Sequence, residues 1–263
     1  MALDIYDSTA AEGYERAFAR ISSHFVPHLL AAGRVASGQA VLDVATGTGL
    51  AAAAALAAVG PSGHVTAADI SPSMVEQARK RLGNAGNVSM GVEDGQALSF
   101  PDASFDTVLC SLGLMFFPDP ARGLAEFHRV LRTGGRAAVS VNTVPSRAWN
   151  TRVHVIIARH VPSHLAAATR LFALGDEARL RGLFEAAGFS DVAVVTERQP
   201  FPMPSFEAYF DHIERGWGSP GQAFVSLPKD LQQVVREEVR RDVGDTGGPI
   251  AIEVEYRFAS GRK

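Results

Sequence analysis

The chain has 263 residues, 46% of them hydrophobic and 20% charged, with a formal net charge of -3. That balance suits a globular protein with a sizeable core, and with no run of Lys or Arg it excludes the basic footprint of a DNA- or RNA-binding surface. The single cysteine, Cys110, lies in an apolar run and excludes both an intrachain disulfide and a CxxC site.

The first residues, M-A-L-D-I-Y-D, are acidic where a signal peptide would be basic. The longest apolar stretch, Leu50 to Val59, falls well short of the roughly 20 residues that cross a bilayer. A cytoplasmic protein without a membrane span is expected. Residues 1 to 35 read as a helical lid.

From 39 to 143, short β-branched runs alternate with helical stretches, the pattern of βαβ units and a parallel sheet. A strand is predicted over Gln39 to Val44, a helix over Leu50 to Val59 and a second strand over His64 to Ile70. Ser71-Pro72 supplies an N-cap and an N1 proline for a helix to Leu82. Strands follow at Asn87 to Val92 and at 105 to 111. Asp119-Pro120 then caps a helix carrying Leu124, Phe127 and Leu131, and Thr133-Gly134-Gly135 breaks it before a strand from Arg136 to Asn142.

Beyond Pro145 a helical segment runs to about 171, and another is capped by Asp176 and closed by Gly188. Strands at Val192 to Thr196 and 250 to 259 finish the sheet, with helices at Ser205 to Arg215 and Leu227 to Asp242 between them. The expectation is a single α/β domain over 1 to 263. It has a Rossmann-like, doubly wound, mostly parallel sheet as its core at 39 to 143, and sheet completion with inserted cap helices at 144 to 263.

In an open parallel sheet, ligands bind outside the carboxyl ends of the strands. Three carboxylates fall there: Asp43 near the end of the first strand, Asp69 at the end of the second, Asp94 after the third. Gly47 and Gly49, with Ala52, also fit the G-x-G-x-x-A of a dinucleotide fold, and Asp69 lies at about the matching distance of roughly 20 residues. A nicotinamide-dependent oxidoreductase is therefore one reading. Against it, Asp43 beneath the glycine turn would repel a pyrophosphate and attract a cation. A ligand with an ammonium, a sulfonium and a ribose matches the three carboxylates better.

The stretches V-L-D-V-A-T-G-T-G, A-A-D-I-S-P-S-M, E-D-G-Q-A-L-S-F-P-D-A-S-F-D, G-L-M-F-F-P-D-P and R-V-L-R-T-G-G-R, in that order, resemble class I methyltransferases. The branch with the ubiquinone and menaquinone biosynthesis C-methyltransferases is the nearest in pattern. The resemblance is dense over 39 to 143 and implies S-adenosyl-L-methionine as cofactor. It implies that Asp43, Gly47 and Gly49 border the methionine end, with Ala45 where many relatives have glycine. Asp69 would take the ribose hydroxyls, Ile70 and Met74 would pack on the adenine, and Asp94 would accept from the adenine amino group. Backbone at Gly95 and Ser111 would line the rest. Ser99 stands where a proline is common, which bears on the geometry of that loop.

Absent motifs narrow the chemistry. The fourth strand ends in C-S-L-G, without the Pro-Pro pair of base-amino methylating enzymes or the carboxylate of the magnesium-dependent catechol type. There is no H-E-x-x-H, P-loop or G-x-S-x-G, and no metal site is expected. A non-methylating use of the same fold, such as a cyclase, stays open because no general base stands out.

His24, His28, His160, His164 and His212 read as surface or structural histidines, as do His64 and His128. Tyr6, Tyr14, Phe18 and Phe25 either close over the cofactor or form a helix packing face, and Trp149 belongs with Trp217 in the cap. Tyr14, Phe116, His154 and Trp217 stand as candidate acceptor contacts. Methyl transfer to a small, partly hydrophobic acceptor at carbon, oxygen or nitrogen is expected, with a homodimer left open.

Overall fold

The computed structural model describes residues 8–83 and 85–263, with side chains from residue 21 onward. The strands are β1 (Ala40–Val44), β2 (His64–Asp69), β3 (Val88–Val92), β4 (Phe105–Ser111), β5 (Leu131–Asn142), β6 (Ser190–Met203) and β7 (Ile250–Arg262). The helices are α1 (Ser8–Gly33), α2 (Leu50–Val59), α3 (Pro72–Leu82), α4 (Pro120–Val130), α5 (Arg152–His160), α6 (Leu165–Phe172), α7 (Glu177–Ala186), α8 (Phe206–Glu214), α9 (Gly218–Val225) and α10 (Lys229–Asp242).

One sheet takes all seven strands in the order β3-β2-β1-β4-β5-β7-β6. Strands β1 to β5 run parallel, and β7 is inserted antiparallel between β5 and β6. The order reverses between β1 and β4, so the crevice at their carboxyl ends is the switch point where ligands of such sheets bind. This is the Rossmann-like, mostly parallel architecture read from the alternating elements.

Alternation along the strands assigns the two faces. Val41, Val65, Ala67, Leu109 and Ala138 pack under α1, α2 and α3, while Leu42, Val44, Val108, Val139 and Val141 pack against α4 and α7. Both faces are covered, as parallel strands require. Helix α3 illustrates the local logic. Ser71 caps it by accepting from the Met74 amide, Pro72 sits at its start, and buried Met74, Val75, Ala78 and Leu82 form one stripe. Arg79, Lys80 and Arg81 in the last turn complement the helix dipole.

The described part of α1 is core. Ile21, Phe25 and Leu29 are buried, and the Phe25 ring lies 4.6 Å from Tyr256 and 6.1 Å from Phe201. The same apolar cluster runs without a break into the cap, through Trp149, Val153, Phe206, Tyr209 and Val239.

Two elements exceed their sequence expectation. Strand β6 extends over 14 residues and includes Pro200 and Pro202. It tolerates them as the outermost strand, with one edge unpaired. Helix α9 arises from G-S-P-G-Q-A-F-V, a stretch for which no element is predicted from the sequence. Strand β5 begins at Leu131, yet its regular pairing starts with Thr107 opposite Arg136, so the Thr133-Gly134-Gly135 break is present as a register shift. No described helix is long and apolar enough to cross a membrane.

Candidate cofactor and acceptor site

The turn after β1 is built around two carboxylates with different tasks. Asp69, at the end of β2, accepts the Gly47 amide at 2.8 Å through Oδ2 and the Ser71 amide at 3.0 Å through Oδ1. It thus fastens the glycine turn and the start of α3 together. Asp43 is fully buried below the turn, where its Oδ2 accepts from the Thr46 hydroxyl at 2.6 Å and its Oδ1 has no hydrogen-bond partner. Burial pushes its pKa up to about 7, against the restraint of the Thr46 hydroxyl and of the Ala52 backbone amide, and with a smaller further push from Asp69.

Gly49 stands at φ 81°, and a Cβ there would press on the Ala78 backbone at 3.3 Å, so it sets the close approach of α2 to α3. Arg81 reinforces that contact by donating to the Thr48 carbonyl at 2.7 Å. Ala45 and Leu112, just past β1 and β4, adopt φ 55° and 54°. Left-handed backbone in non-glycine residues costs free energy and collects where ligands bind. A Cβ on Gly113 would lie 2.5 Å from the Ala45 Cβ, so the two turns interlock across the switch point.

Above these turns opens a cavity of about 480 Å³, within the range of small-molecule sites. Ala45, Gly47, Asp69, Ile70, Met74 and Ser111 line it, and so do Asp94, Gly95 and Phe116. Ile70 is 39% exposed into it, an apolar side chain without protein cover, while Met74 is buried. Asp94 accepts the Gln96 amide at 2.9 Å and so shapes its own turn. Ser99 uses its position: its amide donates to Glu93 at 3.0 Å and its hydroxyl at 2.5 Å, closing the loop in a way proline would not.

The opposite wall comes from the cap, through Trp149, Asn150, Thr151, Arg170 and Ser219, with Tyr256 of β7 beside them. Trp149 is held by the Tyr209 hydroxyl, which donates to its carbonyl at 2.8 Å, and by His212 stacked at 5.1 Å. Of these residues only Trp149 has a signal in the sequence, as a cap aromatic. The others come from segments far from the motifs, and only the tertiary fold brings them over the strand ends.

Four sequence-derived candidates lie elsewhere. Asp43 and Gly49 sit behind the lining, one under the turn and the other between helices. His154 is buried behind the wall with Nε2 3.2 Å from the Ser219 hydroxyl, so Ser219 stands between it and the cavity. Trp217 precedes α9 and lies under the Arg215 guanidinium at 5.4 Å, away from the lining. The side chain of Tyr14, like those of Tyr6 and Phe18, falls outside the described residues. Among the described residues no cluster suits a metal ion.

Residues 42–139 match the family described as methyltransferase domain. The chain is 35% identical over 171 residues to the ubiquinone/menaquinone biosynthesis C-methyltransferase UbiE of Saccharophagus degradans, covering 59% of this chain and 69% of that protein. In fold it is similar to YcgJ of Bacillus subtilis, with a TM-score of 0.61 at 20% identity over 91% of this chain and 98% of the other. It is similar also to phosphoethanolamine N-methyltransferase 2 of Haemonchus contortus in complex with S-adenosyl-L-methionine, with a TM-score of 0.65 at 18% identity over 98% and 57%.

Proposed function

The chain belongs to the class I S-adenosylmethionine-dependent methyltransferases, in the branch of the ubiquinone/menaquinone biosynthesis C-methyltransferases, and from that premise we propose that it methylates a small, partly hydrophobic organic acceptor held under the cap. The observation that carries this reading is the set of groups that share one cavity. Carboxylates Asp69 and Asp94, apolar Ile70 and Met74, and the aromatic Phe116 and Trp149 all line it. Residues 39–143 act as the cofactor core and 144–263 hold the acceptor cap, while the described part of α1 belongs to the packed core rather than to a lid.

The residues present fit the cofactor. A buried carboxylate oxygen without a partner, Asp43 Oδ1, marks a place for positive charge nearby, and Ile70 offers an uncovered apolar face for a ring. When bound, S-adenosylmethionine supplies an electrophilic methyl group on a sulfonium. Asp69, held in place by the Gly47 and Ser71 amides, lines the cavity as a carboxylate that takes the ribose hydroxyls. Ile70 and Met74 take the adenine faces, Asp94 its amino group, and the backbone at Gly95 and Ser111 completes the seat. Asp43 supplies negative potential under the Ala45 to Gly49 turn, where the methionine end rests.

In-line displacement depends mainly on holding nucleophile and methyl carbon close in a site emptied of water, which is the work of the cap wall. No side chain of this wall is assigned as a base. Burial pushes the pKa of His154 down to about 4, which leaves it neutral and a weak proton acceptor near pH 7. Calorimetric titration with S-adenosylmethionine, S-adenosylhomocysteine and a nicotinamide dinucleotide, followed by labelled-methyl turnover over an acceptor panel, tests the reading. Binding of the first two with transfer is expected. Binding of the dinucleotide alone would overturn it.

A further inference from the structure

The charges around the cavity are unevenly distributed. Its cofactor end carries three carboxylates, Asp69, Glu93 and Asp94, while its cap wall carries one formal charge, the guanidinium of Arg170. Arg170 lies on α6, whose following residue Leu171 is pinned over the end of β5 because the Asn142 amide donates to its carbonyl at 3.3 Å. Helix α6 therefore sits beside the Leu114 to Phe116 turn after β4, on the far side of β4 from Gly47.

Three other arginines of the cap are committed. Arg147 pairs with Glu255, Arg152 with Asp242 and Arg159 with Glu238. Among the described residues no hydrogen bond or ion pair holds the Arg170 side chain. An unpaired guanidinium on the wall of a largely apolar cavity, which Asn150 and Ser219 also line, is a seat for anionic oxygen. One guanidinium balances one negative charge, which suits a carboxylate better than a dianionic phosphate ester.

We propose that the acceptor is an amphipathic carboxylic acid, its apolar body against Phe116 and Trp149 and its carboxylate on Arg170. This deepens the methyltransferase reading and rests on it for the identity of the acceptor pocket. The Arg170 bond fixes one end of the acceptor, so its nucleophilic atom is presented toward the cofactor end at a set distance. The three carboxylates at that end repel the acid's charge and oppose the reversed orientation.

The test uses the full-length protein saturated with S-adenosylhomocysteine and three probes: 1-naphthoate, 1-naphthamide and phenyl phosphate. Calorimetry should give 1-naphthoate about tenfold tighter than the amide, the scale of one charge-assisted contact at a partly exposed site. Arg170→Gln should erase that difference, Arg170→Lys should keep part of it, and the affinity for S-adenosylhomocysteine should be the same in all three proteins. Equal binding of acid and amide, binding of neither, or tighter binding of phenyl phosphate would overturn the proposal. So would loss of S-adenosylhomocysteine affinity in Arg170→Gln, which would assign the arginine to the cofactor's own carboxylate. If S-adenosylhomocysteine itself does not bind while the Arg170-dependent preference for the acid persists, the methyltransferase reading fails and the anion seat stands.

Discussion

Replacing Asp43 by asparagine should make the cofactor-free protein more stable at neutral pH, although it removes a charge from the candidate site. The amide oxygen can still accept the Thr46 hydroxyl, so the change mainly removes an ionisation that burial opposes. The folded-state pKa is pushed up from 3.8 to about 7. Between those values the folded state holds a proton that the unfolded chain has released, so Asp43 costs stability progressively as pH rises from about 4 to about 7, and the cost is constant above that. At about 1.4 kcal/mol per unit of pKa, the full cost above pH 7 is about 4 kcal/mol, and about 2–3 kcal/mol of it accrues between pH 5 and pH 8. Urea unfolding of both proteins at these two pH values isolates the group, because the other titrating residues cancel in the difference. The stabilisation by Asp43→Asn should grow by that amount from pH 5 to pH 8. A difference that does not change with pH would refute the assignment of Asp43 as a buried, poorly compensated carboxylate.

Other expectations follow from the same turns. A cation bound over Asp43 favours its ionised form, so affinity for S-adenosylmethionine should rise as pH passes upward through 7 while that for the uncharged-sulfur product changes less; parallel calorimetric pH series check the contrast. Asp69→Ala should weaken S-adenosylmethionine binding by at least tenfold, since it removes the proposed ribose acceptor and the partner of the Gly47 and Ser71 amides; unchanged affinity would sink the ribose assignment. Ala45→Gly should stabilise the fold by about 0.5–1 kcal/mol by relieving φ 55°, measured as a shift of the urea midpoint at constant slope.

The sheet was legible because its punctuation is local. Ser71-Pro72 and Asp119-Pro120 each supply a cap and a first helical residue within two positions, and both helices start there. The length of β6 was not legible, because its outer half is defined by pairing with residues 250–255, some fifty positions away, and its prolines argue locally against a strand. The part of the cavity at the strand ends could be read because Asp69, Ile70, Asp94 and Gly95 sit within a few residues of those ends, where the topology of an open sheet directs attention. The cap wall could not. Asn150, Arg170, Ser219 and Tyr256 have ordinary local surroundings, and they meet only because α5, α6 and α9 fold over β5 and β7. His154 illustrates the limit, since a titratable residue in the cap attracts notice, yet its ring is spent on Ser219 one layer behind the surface that matters.

The unbroken apolar cluster from α1 through the sheet to α5, α8 and α10 bears on how acceptor choice could be re-engineered. Because Phe201, Ile252, Val254 and Tyr256 serve at once as sheet residues and as the floor on which the cap rests, the cap is not an interchangeable module. A chimera that transplants residues 145–225 alone would set foreign side chains on a resident floor shaped for others. Transplants should carry β6 and β7 with them, so the unit of inheritance for acceptor choice in this chain is the whole segment after β5.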